Sequence, residues 1–347
     1  MKNPIVILIA LCCSIQLFAQ PLYPFKKGSL WGYMDSNGNE IIVPQFPLAG
    51  FFYEDRAYVQ IDDALGFINS KGEVVIKPQY PAADNFREGF SSAMEDEDWG
   101  IINAAGEWVI EPKYATPMPF HNGLAKFKLE RGLFSTYGFI NTKGDTAIAP
   151  VFEKAGDFND GLCMASKDGS KYGYINTKGE WVIQPEYEIG VAFKINGEYD
   201  FSDKDFSNGY VAVEKDSKYG LMDKTGKLVL PCTFEFIGKF SEGLAPAKKG
   251  DKYGFIDIKG NWIIKPEYTG AEAFHNGLAA VSKGPSAYEA TWGFIDAKGK
   301  IIIPLTIYAY YTSYRPMQFH EGVVPCYVSE GKFGYINRSG KVIWKME

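Results

Sequence analysis

The sequence has few cysteines and, beyond its first residues, no long hydrophobic run. Two of its five cysteines, Cys12 and Cys13, lie near the start of the chain, and Cys163, Cys232 and Cys326 are widely spaced. Such spacing matches neither a disulfide framework nor a CxxC metal site, so we expect these three to be small buried residues. No stretch after the start approaches the roughly 18 apolar residues that span a bilayer, so we expect no transmembrane segment in the mature chain.

Motifs of known enzymes and metal sites are also missing. The sequence has no G-x-S-x-G, no H-E-x-x-H and no paired Cys/His arrangement. His121, His275 and His320 occupy one position in different copies of a repeat, where whole repeat units separate them, so they predict no metal site. We therefore expect a protein that is not an enzyme, without catalytic residues, metal ligands or cofactors. The net charge of −6 offers no basic footprint for nucleic acid.

Residues 1–19 have the pattern of an export signal. Lys2 precedes an apolar stretch from Ile5 to about Phe18, and Ala19 stands where a signal peptidase reads small residues. We expect cleavage near Ala19 and a mature chain in the periplasm, at the cell surface or secreted.

One hairpin pattern recurs along the rest of the chain. It starts near residues 31, 65, 99, 137, 172, 219, 253, 292 and 333. Each copy has an aromatic residue or Leu followed by Gly, then Asp or Asn three positions after that Gly, and a second Gly six positions after it. Asp or Asn can accept a backbone hydrogen bond from two residues on, and Gly adopts the left-handed conformation without cost. The motif [DN]-x-x-G therefore predicts the tip of a β-hairpin.

A third strand completes each copy. Most hairpins are followed by a proline, which we expect to end the second strand because it has no N–H for the ladder. An aromatic residue and an F-x-x-G motif come next, followed by a short apolar strand such as "LAAV" at 278–281. Each copy is thus predicted to be a three-stranded antiparallel β-meander, and the fold class to be all-β.

Two arrangements of about nine such meanders remain open, and we prefer the first. Unequal repeat lengths and three strands per repeat favour a curved, solenoid-like array with free ends. The absence of a polar cap after Lys345 favours the alternative, a closed ring resembling a β-propeller.

These motifs together resemble the WG-repeat (KWG) family. The resemblance covers residues 31–347, although only Trp31, Trp99 and Trp292 keep the tryptophan before the glycine. It implies a β-rich repeat array in exported or surface proteins, without catalytic residues or cofactors to carry over. The expected organisation is a signal peptide, residues 1–19, and a repeat array, residues 20–347.

Two groups of aromatic residues are candidates for binding a partner. Trp108, Trp181 and Trp262 share a repeat position that elsewhere accepts Glu40 or Thr146, so we expect them to be partly exposed and able to stack against a sugar or a peptide. The alternative is that they belong to the core between repeats.

The second group lies in an insertion. Residues 308–315 ("YAYYTSYR") contribute the Tyr and Arg side chains typical of interface anchors, and a covering flap is the alternative. The candidate residues are Tyr308, Tyr310, Tyr311, Tyr314 and Arg315. Another insertion, residues 188–205, is acidic.

The preferred functional interpretation is a non-catalytic exported module that binds or scaffolds a protein or glycan partner. One alternative is a hydrolase or lyase with a site in a groove, using carboxylates such as Asp200, Asp203 and Asp205. A structural component of the cell envelope is the other.

Overall fold

The computed structural model describes residues 21–131, 134–188, 193–195, 198–200, 204–285, 290–308, 319, 322–329 and 332–346. In these ranges the chain forms antiparallel β-strands and no α-helix, which confirms the predicted fold class. Among the described residues, no helix has the length and apolarity needed to cross a membrane.

Most strands belong to nine three-stranded meanders, which we number as sheets 1 to 9. Sheets 1 to 3 consist of β1 (Tyr23–Lys27), β2 (Leu30–Met34) and β3 (Glu40–Phe46); β4 (Ala57–Ile61), β5 (Ala64–Ile68) and β6 (Val74–Tyr80); and β7 (Phe90–Glu95), β8 (Asp98–Asn103) and β9 (Trp108–Tyr114). Sheets 4 and 5 each have a two-residue strand at one edge and consist of β10 (Phe120–His121), β11 (Leu124–Arg131), β12 (Phe134–Asn141) and β13 (Thr146–Phe152); and β14 (Lys154–Ala155), β15 (Leu162–Ser166), β16 (Lys171–Asn176) and β17 (Trp181–Glu188).

A separate two-stranded hairpin, β18 (Phe193–Ile195) and β19 (Glu198–Asp200), follows sheet 5. Sheets 6 and 7 consist of β20 (Tyr210–Lys215), β21 (Lys218–Asp223) and β22 (Leu228–Phe234); and β23 (Phe236–Ile237), β24 (Ala245–Lys249), β25 (Lys252–Ile256) and β26 (Trp262–Tyr268). Sheets 8 and 9 consist of β27 (Gly270–Ala271), β28 (Ala279–Lys283), β29 (Thr291–Ile295) and β30 (Ile301–Tyr308); and β31 (Val323–Ser329), β32 (Lys332–Asn337) and β33 (Val342–Lys345). β30 and β31 pair through Tyr308 and Tyr327, which joins sheets 8 and 9.

Each sheet begins one strand earlier than the predicted repeat. The strand after F-x-x-G pairs with the hairpin that follows it, as β4 does with β5 from Ala57↔Ile68 to Ile61↔Ala64. The reason lies in the lengths of the connections. Only two residues separate β4 from β5, whereas ten separate β3 from β4, and a two-residue turn commits its flanking strands to pair with each other.

The prolines do not end the last strand of each sheet as the sequence suggested. β6 continues through Pro78 to Tyr80, and the register shifts between Leu65↔Tyr80 and Phe67↔Ile76. An edge strand with a bulge tolerates proline because the missing N–H has no ladder partner there. The bulge also explains the glycine of the hairpin, since a Cβ on Gly66 would lie 2.6 Å from the Ile76 oxygen and 2.7 Å from the Pro78 nitrogen.

Neighbouring sheets pack through two recurring contacts. Along the array, the Phe of the F-x-x-G motif packs against an aromatic ring of the preceding sheet. The partner lies in the middle strand in most sheets, with centroids 4.9 Å apart for Phe67 and Phe86 and 4.7 Å for Phe294 and Phe319, and in the first strand in sheets 3 and 6. The tip glycine of each hairpin lies against the last strand of the preceding sheet; a Cβ on Gly72 would be 3.4 Å from Ile42.

The array closes on itself. A Cβ on the tip Gly38 of sheet 1 would lie 2.7 Å from the Ile343 oxygen of sheet 9, and the rings of Tyr23 and Tyr335 are 6.4 Å apart in a shared core cluster. The nine sheets therefore form a ring, the second of the two arrangements that the sequence left open. Closure buries Tyr23, Phe25 and Val323, apolar side chains that a free end would expose to water.

The three cysteines are free. Cys163 and Cys326 are buried, as predicted, and Cys232 is half-buried at the edge of a cleft described below. Burial raises the pKa of the Cys326 thiol to about 12. This thiol therefore stays protonated and behaves as a small apolar group.

Candidate binding face

Two rows of turns lie on one face of the ring, which we call the tip face. The first row is the nine hairpin tips, and the second is the F-x-x-G turns. Contacts join the rows: Lys224 Nζ in the tip of sheet 6 donates to the Asp160 oxygen at 2.6 Å, and Arg338 Nη2 in the tip of sheet 9 donates to the Asn276 oxygen at 2.6 Å. The most regular residues of the sequence thus meet on a single surface.

The tips have the predicted turn geometry. Asp35 Oδ1 accepts the N–H of Asn37 at 2.8 Å and that of Asn39 at 2.9 Å, and Gly38 has a φ of 88°. The hydrogen bonds of its carboxylate to Asn39 and Asn37 lower the pKa of Asp35, outweighing the opposite effect of burial. Glycine adopts this left-handed conformation most readily, because it has no Cβ.

A pairing rule within the tips was not visible from the repeat pattern alone. Where the first tip residue is Asn, in sheets 2 to 5, its amide donates to an acid four residues later, as Asn69 Nδ2 does to Glu73 at 2.7 Å. Where it is Asp, the fifth residue is Asn or Lys, as with Asp257 and Asn261 or Asp296 and Lys300. In sheet 9 the first tip residue is Asn and the fifth is Lys.

The tip face has two halves of different charge. The five-residue tips of sheets 1 to 5 carry three basic and five acidic residues, a net charge of −2, and we call them the acidic arc. The tips of sheets 6 to 9, the basic arc, carry seven basic and three acidic residues, a net charge of +4. The basic residues of this arc are exposed: Lys224, Lys227, Lys259, Lys298, Lys300, Arg338 and Lys341.

The F-x-x-G turns are two-residue hairpin turns with left-handed backbone at both central positions. Glu88 and Gly89 have φ values of 53° and 82°, which defines the type I′ geometry that suits a twisted hairpin. In sheet 2 Asp55 replaces the glycine and still adopts a φ of 59°.

A side chain from one F-x-x-G turn often caps the next. The carboxylate of Glu54 accepts the N–H groups of Glu88 and Gly89 at 2.7 and 2.8 Å, and the carboxylate of Glu88 accepts those of Asn122 and Gly123, both at 2.7 Å. Single hydrogen bonds of this kind occur in three other places, where the side-chain oxygens of Asn122, Asp160 and Glu242 accept the N–H groups of Gly161, Gly209 and Gly277, respectively. These contacts tie sheets that are neighbours in the ring, and only an alignment of the repeats would have suggested them.

Charged side chains from consecutive repeats meet beside these turns. Arg87 Nη1 lies 2.8 Å from His121 Nε2, which lies 3.8 Å from Asp157 Oδ2, and Lys126 Nζ is 3.3 Å from Asp157 Oδ1. Burial would raise the pKa of Asp157, but Lys126 and then His121 hold it below its usual value. Burial lowers the pKa of His121 and favours its neutral form.

The pKa of Asp205, at the end of the 188–205 insertion, is shifted in the opposite direction from that of Asp157. Burial and then the negative charge of Asp157 raise the pKa of Asp205 to about 8, although Lys239 and Lys126 act against the shift. At neutral pH Asp205 therefore keeps its proton while Asp157 is ionised. Asp205 was a candidate from its sequence position, but its interaction with Asp157 was not predicted. Residues 201–203, which include Asp203, lie outside the described part of the chain.

The predicted tryptophans lie between sheets and are half-buried. The Trp108 ring packs edge-on against Tyr80 of the preceding sheet at 5.7 Å, and Trp181 packs against Phe152 at 5.9 Å. Trp262 joins the core cluster between sheets 6 and 7. Each tryptophan side chain is thus partly packed between sheets, as the core alternative predicted, and partly accessible to solvent, as the binding alternative predicted.

The tyrosine-rich insertion falls largely outside the described residues. Tyr310, Tyr311, Tyr314 and Arg315 belong to that undescribed part, and Tyr308 ends β30. Their role as interface anchors stays a prediction.

A cleft of about 650 Å³ separates sheets 5 and 6. Leu228 lines it at the repeat position where Trp108, Trp181 and Trp262 stand in sheets 3, 5 and 7. Several acidic groups line the cleft, together with a lysine and apolar surface: Glu186, Glu188, Glu214, Asp216, Lys215, Tyr187 and Cys232.

A closed ring of β-meanders with repeated turns on one face defines a repeat protein of the β-propeller-like class. A family model described as "WG containing repeat" matches residues 31–63, 66–97, 99–131, 137–170, 172–197, 192–219, 219–253, 253–284 and 292–315. The chain belongs to this family, as its motifs predicted. No curated protein matches the chain.

Several solved structures have a similar fold at low sequence identity. AztD from Citrobacter koseri is 11% identical with a TM-score of 0.43, over 94% of this chain and 93% of that one. BamB from Moraxella catarrhalis is 12% identical with a TM-score of 0.37, over 93% of this chain and 90% of that one. Hsv2 from Kluyveromyces lactis is 12% identical with a TM-score of 0.37, over 80% of this chain and 94% of that one.

Proposed function

We propose that this protein is a non-catalytic binding or scaffold module that is exported and holds a protein or glycan partner on its tip face. The observation that carries the proposal is that the constant residues of the repeat have structural roles, whereas the variable ones are exposed. Glycines, the Asp or Asn of the tips and the Phe of F-x-x-G are occupied by turns and by packing between sheets. The residues that vary between repeats are exposed on the same face and give it two differently charged arcs.

Half-exposed tryptophans add a second reason. Trp108, Trp181 and Trp262 each follow a tip by one residue, so a ligand on the tip face could reach their accessible edges. An aromatic ring offers stacking area for sugars and peptides at a low entropic cost.

Affinity capture from the native envelope tests the proposal. The purified wild-type protein is immobilised, and retained proteins and glycans are identified and shown to compete with free wild-type protein. We expect a saturable partner, with weaker retention by the variant Trp108→Leu/Trp181→Leu/Trp262→Leu, because Leu228 shows that leucine fits this repeat position. A second variant, Tyr310→Ala/Tyr311→Ala, tests the tyrosine-rich insertion. The absence of any saturable partner would contradict the proposal and favour a structural envelope component.

The export part has its own test. N-terminal sequencing of the protein from the envelope fraction should give a chain that begins near Gln20. An intact Met1 on a cytoplasmic protein would contradict export.

A hydrolase is the second candidate, and the Asp157 and Asp205 pair favours it. A carboxylic acid that keeps its proton beside an ionised carboxylate is the combination used in acid–base hydrolysis. Turnover of glycan or peptide substrates by wild type and its loss in Asp205→Asn would establish this candidate and overturn the non-catalytic proposal.

A further inference from the structure

The basic arc forms one continuous row. Its tips follow one another around the ring, because the glycines Gly260, Gly299 and Gly340 each pack on the last strand of the preceding sheet. Packed sheets stand about 10 Å apart, so a basic group recurs at about that interval along the row.

The Asp carboxylates in this row accept hydrogen bonds from the backbone of their own turns. Asp223 Oδ1 accepts the N–H groups of Thr225 and Lys227 at 2.9 and 3.1 Å, and Asp296 Oδ1 accepts those of Lys298 and Lys300, both at 2.9 Å. The side chains of Lys227, Lys259, Lys298, Lys300 and Lys341 are exposed to solvent. Within the described part of the chain, none of these five amines forms an ion pair.

We propose that the basic arc binds a linear acidic polysaccharide, whose anionic groups pair with the lysines of successive tips while a sugar ring stacks on Trp262. The proposal rests on the proposed function and names its ligand class. Trp262 directly follows the last tip residue of sheet 7, Asn261, and is half-exposed in the middle of the row.

Other polyanions fit the surface less well. Binding single-stranded nucleic acid by stacking uses an aromatic side chain for successive bases, and Trp262 is the single aromatic residue directly adjoining the four tips of this arc. An anionic membrane would bind apolar side chains that enter the lipid. The tips themselves present Thr225, Ala297 and Ser339, and the exposed aliphatic side chains beside them, Leu228, Ile301 and Val342, belong to the strands that follow the tips.

The experiment compares lysines at the same tip position in the two arcs. Lys259→Gln/Lys298→Gln alters the basic arc, and Lys143→Gln/Lys178→Gln is the matched control in the acidic arc, with the same change in net charge. Binding of polygalacturonate and heparin is measured by calorimetry at two salt concentrations, and thermal unfolding checks that both variants fold as wild type does.

We expect wild type to bind both polymers, with affinity falling as salt rises. The affinity of the basic-arc variant should be about tenfold or more below that of wild type, since each lysine near an anionic surface contributes about fivefold to affinity. The affinity of the control should fall by less than about twofold. Trp262→Leu should weaken binding and leave the salt dependence unchanged. Equal losses in both lysine variants would overturn the proposal.

Two further arms separate this inference from the proposed function. Tighter binding of a single-stranded oligonucleotide, or of vesicles containing phosphatidylserine, than of either polysaccharide would overturn the inference. If wild type binds no acidic polysaccharide but retains a saturable envelope partner, the inference fails while the proposed function stands.

Discussion

The two arcs of the tip face use the same turn, with different side chains at its first and fifth positions in most sheets. In the acidic arc the first and fifth tip residues of sheets 2 to 5 are Asn and an acid; in the basic arc, sheets 6 and 8 have Asp and Lys at these positions. Both pairs leave the backbone hydrogen bonds of the turn intact, since either Asn or Asp can accept them. Surface charge can therefore change from repeat to repeat without any change in the fold.

The glycine that follows the aromatic residue or Leu of each hairpin should matter equally in both halves, and its loss should give the largest effect. A Cβ on Gly66 in sheet 2 or on Gly220 in sheet 6 would lie 2.6 Å from a carbonyl oxygen of the adjacent strand. We expect Gly66→Ala and Gly220→Ala each to destabilise the protein by about 3 kcal/mol in urea unfolding.

Lys71→Ala, at an exposed tip position, serves as the control and should change stability by less than about 0.5 kcal/mol. Because the carbonyl oxygen is 2.6 Å from the Cβ position in both sheets, a much smaller loss for Gly220→Ala than for Gly66→Ala would contradict the expectation of equal effects.

Where sheets 5 and 6 meet, at the junction of the two arcs, stability should depend on pH through Asp205. An unfolded chain releases this proton near the ordinary pKa of 3.8, whereas the folded protein holds it to about pH 8. Because the folded state binds the extra proton between these values, the free energy of unfolding should fall as pH rises from about 4 to about 8 and then level off.

Asp205→Asn should remove this loss. We expect the variant to gain about 2 kcal/mol relative to wild type between pH 4 and pH 8.5, measured by urea unfolding across that range. Parallel curves for the two proteins would show that Asp205 is ionised in the folded protein at neutral pH.

A smaller effect concerns the one described F-x-x-G turn that lacks its glycine. Asp55 adopts a φ of 59°, at a position where Gly89 has 82° in the next turn. Asp55→Gly should stabilise the protein by about 1 kcal/mol in thermal unfolding, and Gly89→Asp should destabilise it by a similar amount. If Asp55→Gly destabilised instead, the Asp55 side chain would have to make a contact that outweighs its backbone strain.

The smallest effect tests the pairing rule directly. Asn69→Asp places a carboxylate opposite Glu73, and we expect a loss of about 0.5 kcal/mol. Adding Glu73→Lys should restore stability, because it reproduces the Asp and Lys pair of sheet 8. A double-mutant cycle measures the coupling. Additive effects would show that the first and fifth residues of a tip do not interact.

Local features of the fold could be predicted because each depends on neighbours in sequence. The left-handed Gly38 and the hydrogen bonds of Asp35 follow from the turn chemistry of four residues. The pairing of β4 with β5, by contrast, depends on comparing two connections, and the passage of β6 through Pro78 depends on which strand lies at the edge of the sheet. A single repeat contains neither piece of information.

The candidate site was less predictable for the same reason. Half-exposure of the three tryptophans followed from the residues found at equivalent positions in other repeats. The Arg87, His121, Lys126 and Asp157 cluster required knowing that equivalent positions of consecutive turns lie side by side. Closure was the hardest to foresee, because Tyr23 and Tyr335 are about as far apart in sequence as the described chain allows.

Contact between sheets 1 and 9 has a consequence for how the molecule forms. In an open array of repeats, the terminal units have one neighbour each and fray first on heating. Here each terminal sheet gains a second neighbour through Gly38 and Tyr335, so fraying from an end must first break this interface. On the ribosome, however, sheet 1 has to wait until residues near 335 emerge, and its apolar edge stays uncovered until then. Ring closure is therefore expected to be a late and slow step in folding, even if individual hairpins form early.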